Sequence, residues 1–257
     1  MPGSVLSVHT LRHHSVSLSI TTADILRKLR FSLPDKGWAI STGLSRPIHS
    51  IIDLQASKVG VSRLGSGSHV MSFVLADQQG WMVPTSADSE TSSNSPPFIT
   101  VPLQTFANLR AAVNDDRADF FMWEYFTSKR YYTQGPDLIK KLGEIYTPWS
   151  SWKIVASTST VPQLGKDKRL ERIMDALDKG VAYFEAHQEE AVQYISRELD
   201  YSAEDAREWL GTVTFTKGVK GVRLETVEQT IKVLKAAGVV DGKVKAQDMI
   251  GIERSKA

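Results

Sequence analysis

At 257 residues and 41% hydrophobic content, the chain is long enough for one large domain or two small ones with ordinary cores. Lys and Arg number 31 against 29 Asp and Glu, so no excess of positive charge points to nucleic acid as a partner. The absence of Cys removes disulfides, thiol nucleophiles, zinc ribbons and iron–sulfur ligation together, and no run reaches the ~18 consecutive apolar residues of a membrane span.

Residues 1–35 read as a divergent or disordered leader. They are Ser-rich and basic, with Asp24 as the only acid before Pro34. That composition also suits an organellar transit peptide, while no apolar secretory segment is present. The expected location is the cytoplasm, with mitochondria as the alternative.

From Trp38 onward, short β-branched and aromatic runs alternate with helical spacing. The patterns predict strands at 38–42, 58–63, 98–103, 118–124, 141–146 and 152–157, with helices at 68–80, 105–114 and 125–132 between them. This is the rhythm of a parallel α/β sheet. The polar, Pro-terminated stretch 86–97 reads as an exposed loop. Beyond residue 157, helices dominate. Leu170, Ile173, Met174, Leu177, Val181 and Phe184 form one apolar stripe, and Ala191, Val192, Ile195 and Leu199 form the next. Ser202 with Asp205 reads as a variant capping box opening a third helix, Val227, Ile231 and Leu234 mark a fourth, and a short strand is expected at 213–216.

The sharpest local signal is LGSGSH, residues 64–69, between the second strand and its helix. Gly65 and Gly67 permit a tight turn, and Ser66 or Ser68 can cap the helix while its first N–H groups stay free for an anion. The turn lacks the last glycine of a dinucleotide fingerprint, where Val70 stands, and has no P-loop lysine or nucleophile elbow. An ordinary capped connection with no ligand is the competing reading. His69 has no partner at metal-ligand spacing, so no metal and no cofactor are expected. Glu124 closes the hydrophobic run FFMWE, where the carboxyl end of a strand faces the ligand crevice of an α/β sheet, although an acid there also suits a helix start.

The runs KVGVSRLGSGSHVMSFVLADQQGW, ADFFMWEYFTSKRYY, GEIYTPWSSW and YSAEDAREWL resemble the type 2 periplasmic-binding-protein domain of a fungal intracellular family. That family is related to bacterial alkanesulfonate, nitrate and taurine binding proteins, and more remotely to thiamine-pyrimidine synthases. The resemblance implies two α/β lobes joined by two crossing segments, at 37–43 and 147–157. Residues 51–147 would form the second lobe, and 36–50 with 148–257 the first. The first lobe is expected to be incomplete, because residues 1–35 show nothing like the βαβα opening of family members. Such a gap would leave helix faces uncovered and favour self-association.

By the resemblance, the ligand is a small anionic or heteroaromatic metabolite held in the cleft between lobes. The resemblance turns Gly65, Ser66, Gly67, Ser68, His69 and Glu124 toward that cleft; Trp38 and Trp152, on the two crossing segments, could stack on the ligand or pack in the core, and Ser41 on the first crossing completes the expected binding residues. Neither nucleic acid nor a membrane is expected as a partner. The alternative is an enzyme acting on a small heterocyclic metabolite, with Glu124 or His69 as acid or base. The cysteine-rich motif of the thiamine-pyrimidine synthases is absent.

Overall fold

The computed structural model of the protein describes residues 37–82, 97–147, 168–199, 201–215, 218–236, 239–240 and 242–254. Its centre is a five-stranded sheet of β1 (Trp38–Gly43), β2 (Lys58–Val61), β3 (Ile99–Pro102), β4 (Phe120–Glu124) and β5 (Ile139–Ile145) in the order β3-β2-β4-β1-β5. β2 pairs parallel with both β3 and β4, whereas β1 pairs antiparallel with β4 and β5. The sheet is therefore mixed, not purely parallel as the rhythm predicts. A strand's residue pattern fixes which face it buries but not its direction, so β1 could not be oriented from sequence.

Alternation along the strands sorts two cores. Ile40, Val59, Val61, Phe120 and Met122 face α1 (Gly67–Gln78), which contributes Met71, Val74, Leu75 and Ala76. Phe121 and Ile139 face α2 (Phe106–Asn114), which contributes Leu109, Ala112 and Val113. α1 is buried from Ser68 to Ala76 without a polar side, because the sheet covers one flank and Val233 of α7 (Leu224–Ala236) packs into the same core from the other.

After β4 the chain turns directly into α3 (Tyr125–Lys129) and a 3-10 turn at Arg130–Tyr132. Farther on come α4 (Lys168–Ala186), α5 (Gln188–Glu198) and α6 (Ala203–Thr212). Val192, Ile195, Ala206 and Leu210 make a small third core between α5 and α6. The stripe on α4 is less well covered than its periodicity predicts: Leu170 is buried, and Ile173, Met174, Leu177, Val181 and Phe184 are half-buried. Residues 213–215 form no strand, and the expected strand at 152–157 lies outside the described residues. No described helix is long and apolar enough to cross a membrane.

Candidate functional site

The parallel strands β2, β3 and β4 end at one edge of the sheet, and β1 begins there. This carboxyl edge is where α/β sheets carry their ligands. Trp38 pairs in register with Glu124 on one side and Ile145 on the other, which fixes the indole beside the end of β4. The turn after β2 arrives at the same place. A Cβ on Gly67 would lie 2.9 Å from Cη2 of Trp38, so only glycine lets the start of α1 approach the indole this closely. Gly65 adopts a left-handed φ of 74°, as the tight turn requires.

Inside the turn the side chains satisfy one another. Ser66 is the N-cap, its Oγ accepting the His69 N–H at 3.4 Å. The Ser66 and Ser68 hydroxyls lie 3.0 Å apart, and Ser68 Oγ accepts the Ser62 N–H. His69 Nδ1 accepts the Gly65 N–H at 3.1 Å, which puts the proton of the neutral ring on Nε2. Burial holds the imidazole below its usual pKa, so it stays neutral at pH 7. Ser66, Ser68 and His69 are buried, and Phe73 meets the His69 ring edge-on. The N–H groups of Gly67 and Ser68 have no acceptor among the described residues, and Gly67 is half-buried. The donor this turn presents is thus backbone, not hydroxyl.

Glu124 caps α3, its Oε2 accepting the Thr127 N–H at 2.8 Å. The same oxygen accepts the hydroxyl of Tyr201, 77 residues away, at 3.1 Å. Both readings of this acid meet here, since it caps a helix and stands at the carboxyl edge beside Trp38. Glu144, which sequence reasoning passed over, lies at this edge too: it accepts from the Gly37 N–H and the Tyr146 hydroxyl, each at 3.2 Å, and pairs with Lys141. Lys141 in turn sits 4.7 Å from the centre of the Tyr125 ring.

Ser41 does not join this group. It is fully buried three residues along β1, on the α2 side of the sheet, and lies 3.2 Å from the Tyr132 hydroxyl. Burial raises the Tyr132 pKa far above the ordinary phenol value. Trp152 lies outside the described residues. The structure therefore brings together Trp38, residues 65–69 and Glu124. Tyr201 was within sequence reach only as part of YSAEDAREWL, with nothing local to mark its hydroxyl. No group of three or more His, Asp or Glu among the described residues could hold a metal ion.

The model of the Ca3427-like periplasmic-binding-protein family matches residues 38–145. Among solved structures, the chain is 36% identical to the Candida albicans CA3427 gene product, covering 91% of this chain and 69% of that one with a TM-score of 0.68. That protein is described as defining a new family with the generic periplasmic-binding-protein fold. The Escherichia coli aliphatic sulphonate binding protein SsuA is 18% identical, with a TM-score of 0.58 over 85% of this chain and 70% of its own. SsuA of Xanthomonas axonopodis pv. citri, bound to MOPS, is 14% identical, with a TM-score of 0.59 over 89% of this chain and 74% of its own. These two likenesses show the fold. No curated protein matches. With the family model matched over residues 38–145 and 36% identity to CA3427 across 91% of its length, the chain belongs to the Ca3427-like family of the periplasmic-binding-protein fold, a fold that implies ligand binding.

Proposed function

We propose that this chain binds a small metabolite, anionic or heteroaromatic, at the carboxyl edge of the sheet. The observation that carries this reading is the pair of backbone N–H groups at Gly67 and Ser68, left without a protein acceptor at the start of a 12-residue helix and beside the Trp38 indole. Such a helix start favours an anionic group through its dipole and its free donors. The indole offers a flat apolar surface for the rest of the ligand. SsuA, whose fold this chain shares, is named for binding aliphatic sulfonates in one relative and holds MOPS in another, which supports an oxyanion as the charged group.

Calorimetric titration of the full chain with alkanesulfonates, carboxylates and aminopyrimidines tests the reading, followed by mass spectrometry of the mixture. Saturable binding with the ligand recovered unchanged is the expected result. A new product would replace the binding reading with an enzymatic one, and no heat with any of the three classes would reject the site.

A further inference from the structure

On the opposite face of the sheet, Arg110 stands apart from the other described arginines that carry ion pairs. Arg46 pairs with Asp116 and Asp119, Arg117 with Asp115, Arg197 with Glu198 and Arg207 with Glu189. Arg110 has no carboxylate partner among the described residues, yet only 5% of its surface is exposed. Its Nε is buried without a hydrogen-bond partner. What surrounds it is aromatic: the guanidinium carbon lies 3.5 Å from the centre of the Tyr131 ring and 4.7 Å from that of Phe106. Phe106 is itself stacked on Trp123 at 5.2 Å.

A guanidinium keeps its charge in any folded protein. Burying it removes hydration that cation–π attraction to two rings replaces only in part, because the rings accept no hydrogen bond along the N–H directions. An oxyanion supplies the missing acceptors, matching Nε–H and a neighbouring terminal N–H two by two. The Arg130 guanidinium carbon lies 5.3 Å from the centre of the same Tyr131 ring. Tyr131, the ring nearer the guanidinium, is half-buried on the 3-10 turn after α3 and so lies between Arg110 and solvent-accessible surface.

We propose that Arg110 anchors a second anion-binding site, on the α2 face, taking a carboxylate, sulfate or phosphate group at the Nε–H edge of the guanidinium that Phe106 and Tyr131 hold. It is separate from the edge site. Phe121 and Trp123 point to this face, whereas Trp38 packs with the core on the α1 side and stands in register with Glu124.

The test follows the Nε–H resonance of Arg110 in the nitrogen-15-labelled full chain during titration with inorganic phosphate, with chloride at equal ionic strength as the reference. Arg110→Lys identifies the resonance by its disappearance. A saturable shift specific to phosphate is expected, with a Kd on the order of 1 mM. Arg110→Met, which keeps the length and apolar bulk, should weaken phosphate binding by about tenfold or more. Equal shifts in phosphate and chloride overturn the proposal, as does phosphate that perturbs only the Gly67 and Ser68 N–H groups. Unchanged phosphate affinity in a folded Arg110→Met overturns it too. An Arg110→Met chain that fails to fold leaves the parent resonance to decide.

Discussion

Gly67 joins the helix start to the indole, and the cost of filling that gap can be argued from one distance. A Val there meets Trp38 Cη2 at 2.9 Å and Cζ2 at 3.2 Å, so the ring must move or the turn must open. Overpacking of this kind costs about 1–3 kcal/mol, and displacing the indole from the free N–H groups should weaken ligand binding roughly tenfold or more. Trp38→Phe combined with Gly67→Val should regain part of the stability but not the affinity, measured by thermal unfolding and by titration with one identified ligand. Equal affinity in a folded Gly67→Val would reduce residues 65–69 to a helix cap. Glu124→Gln separates ligand types: it should tighten binding of a simple anion by removing a like charge, and loosen binding of an aminopyrimidine that donates to the carboxylate. His69 supplies a pH signature. Its folded pKa lies below the ordinary 6.5, so the unfolded chain takes up the proton first as pH falls, and stability present above 6.5 is lost between that value and the lower folded one. Protonation also sets an N–H against the Gly65 N–H that Nδ1 accepts. Thermal unfolding from about pH 7.5 to about pH 5 should show this loss in the parent and a flatter profile in His69→Gln. A slope unchanged by the substitution would place the proton uptake elsewhere.

Elements defined by local chemistry were legible in the sequence, and those defined by distant partners were not. Ser66 and Ser202 each cap the helix that follows, as a short hydroxyl residue before a periodic run predicts, while Thr105, expected as the first helical residue, is the cap of α2. Strands β2, β3 and β4 lie within the segments their β-branched and aromatic content marks out. The direction of β1 was hidden because antiparallel and parallel pairing use the same side-chain alternation. The position of Ser41 was hidden for a related reason: β1 alternates faces, so Trp38 at the edge says nothing of a residue three places on. Docking of α6 was hidden as well. Lys129 on α3 pairs with Asp205 and lies 3.1 Å from Glu208, and Tyr201 reaches Glu124, which joins α6 to the end of β4. The bond that Lys129 donates to Asp205 raises the Lys129 pKa. Lys129→Met should remove a charge-assisted bond to a largely buried carboxylate at a cost of about 1.5–3 kcal/mol. Hydrogen exchange should then quicken in α5 and α6 while β1 to β5 keep their protection. Uniform loss across the sheet would mean that this pair supports the whole fold, not one docked element.

At the scale of the whole molecule, cohesion is unequal. The sheet has a core on each face, with Phe120, Phe121, Met122, Val59 and Ile139 fully buried, whereas the cluster between α5 and α6 buries Val192, Ile195, Ala206 and Leu210, with Phe184, Tyr201 and Trp209 partly buried against it. α4 keeps most of its apolar stripe half-exposed, and Tyr183, Tyr194 and Leu199 are 54%, 58% and 41% exposed. Burial drives stability at roughly 25 cal/mol per Å² of apolar surface, so the segment that buries less should open at lower cost. Limited proteolysis should therefore cut among α4 to α6 first and leave a fragment spanning about residues 37–147, the sheet with α1 to α3. The half-exposed α4 stripe also predicts self-association that rises with concentration, seen as a larger mass in light scattering and reversed by Val181→Lys within that half-buried stripe. Removal of α7 works against the fragment, since Val233 packs into the α1 core and its loss leaves that flank of α1 open. The surviving piece should accordingly unfold at a lower temperature than the intact chain while keeping its strand content. Preferential survival of α4 to α6, with the sheet digested, would show that cohesion does not follow the buried apolar surface and would reverse the assignment of the stable unit.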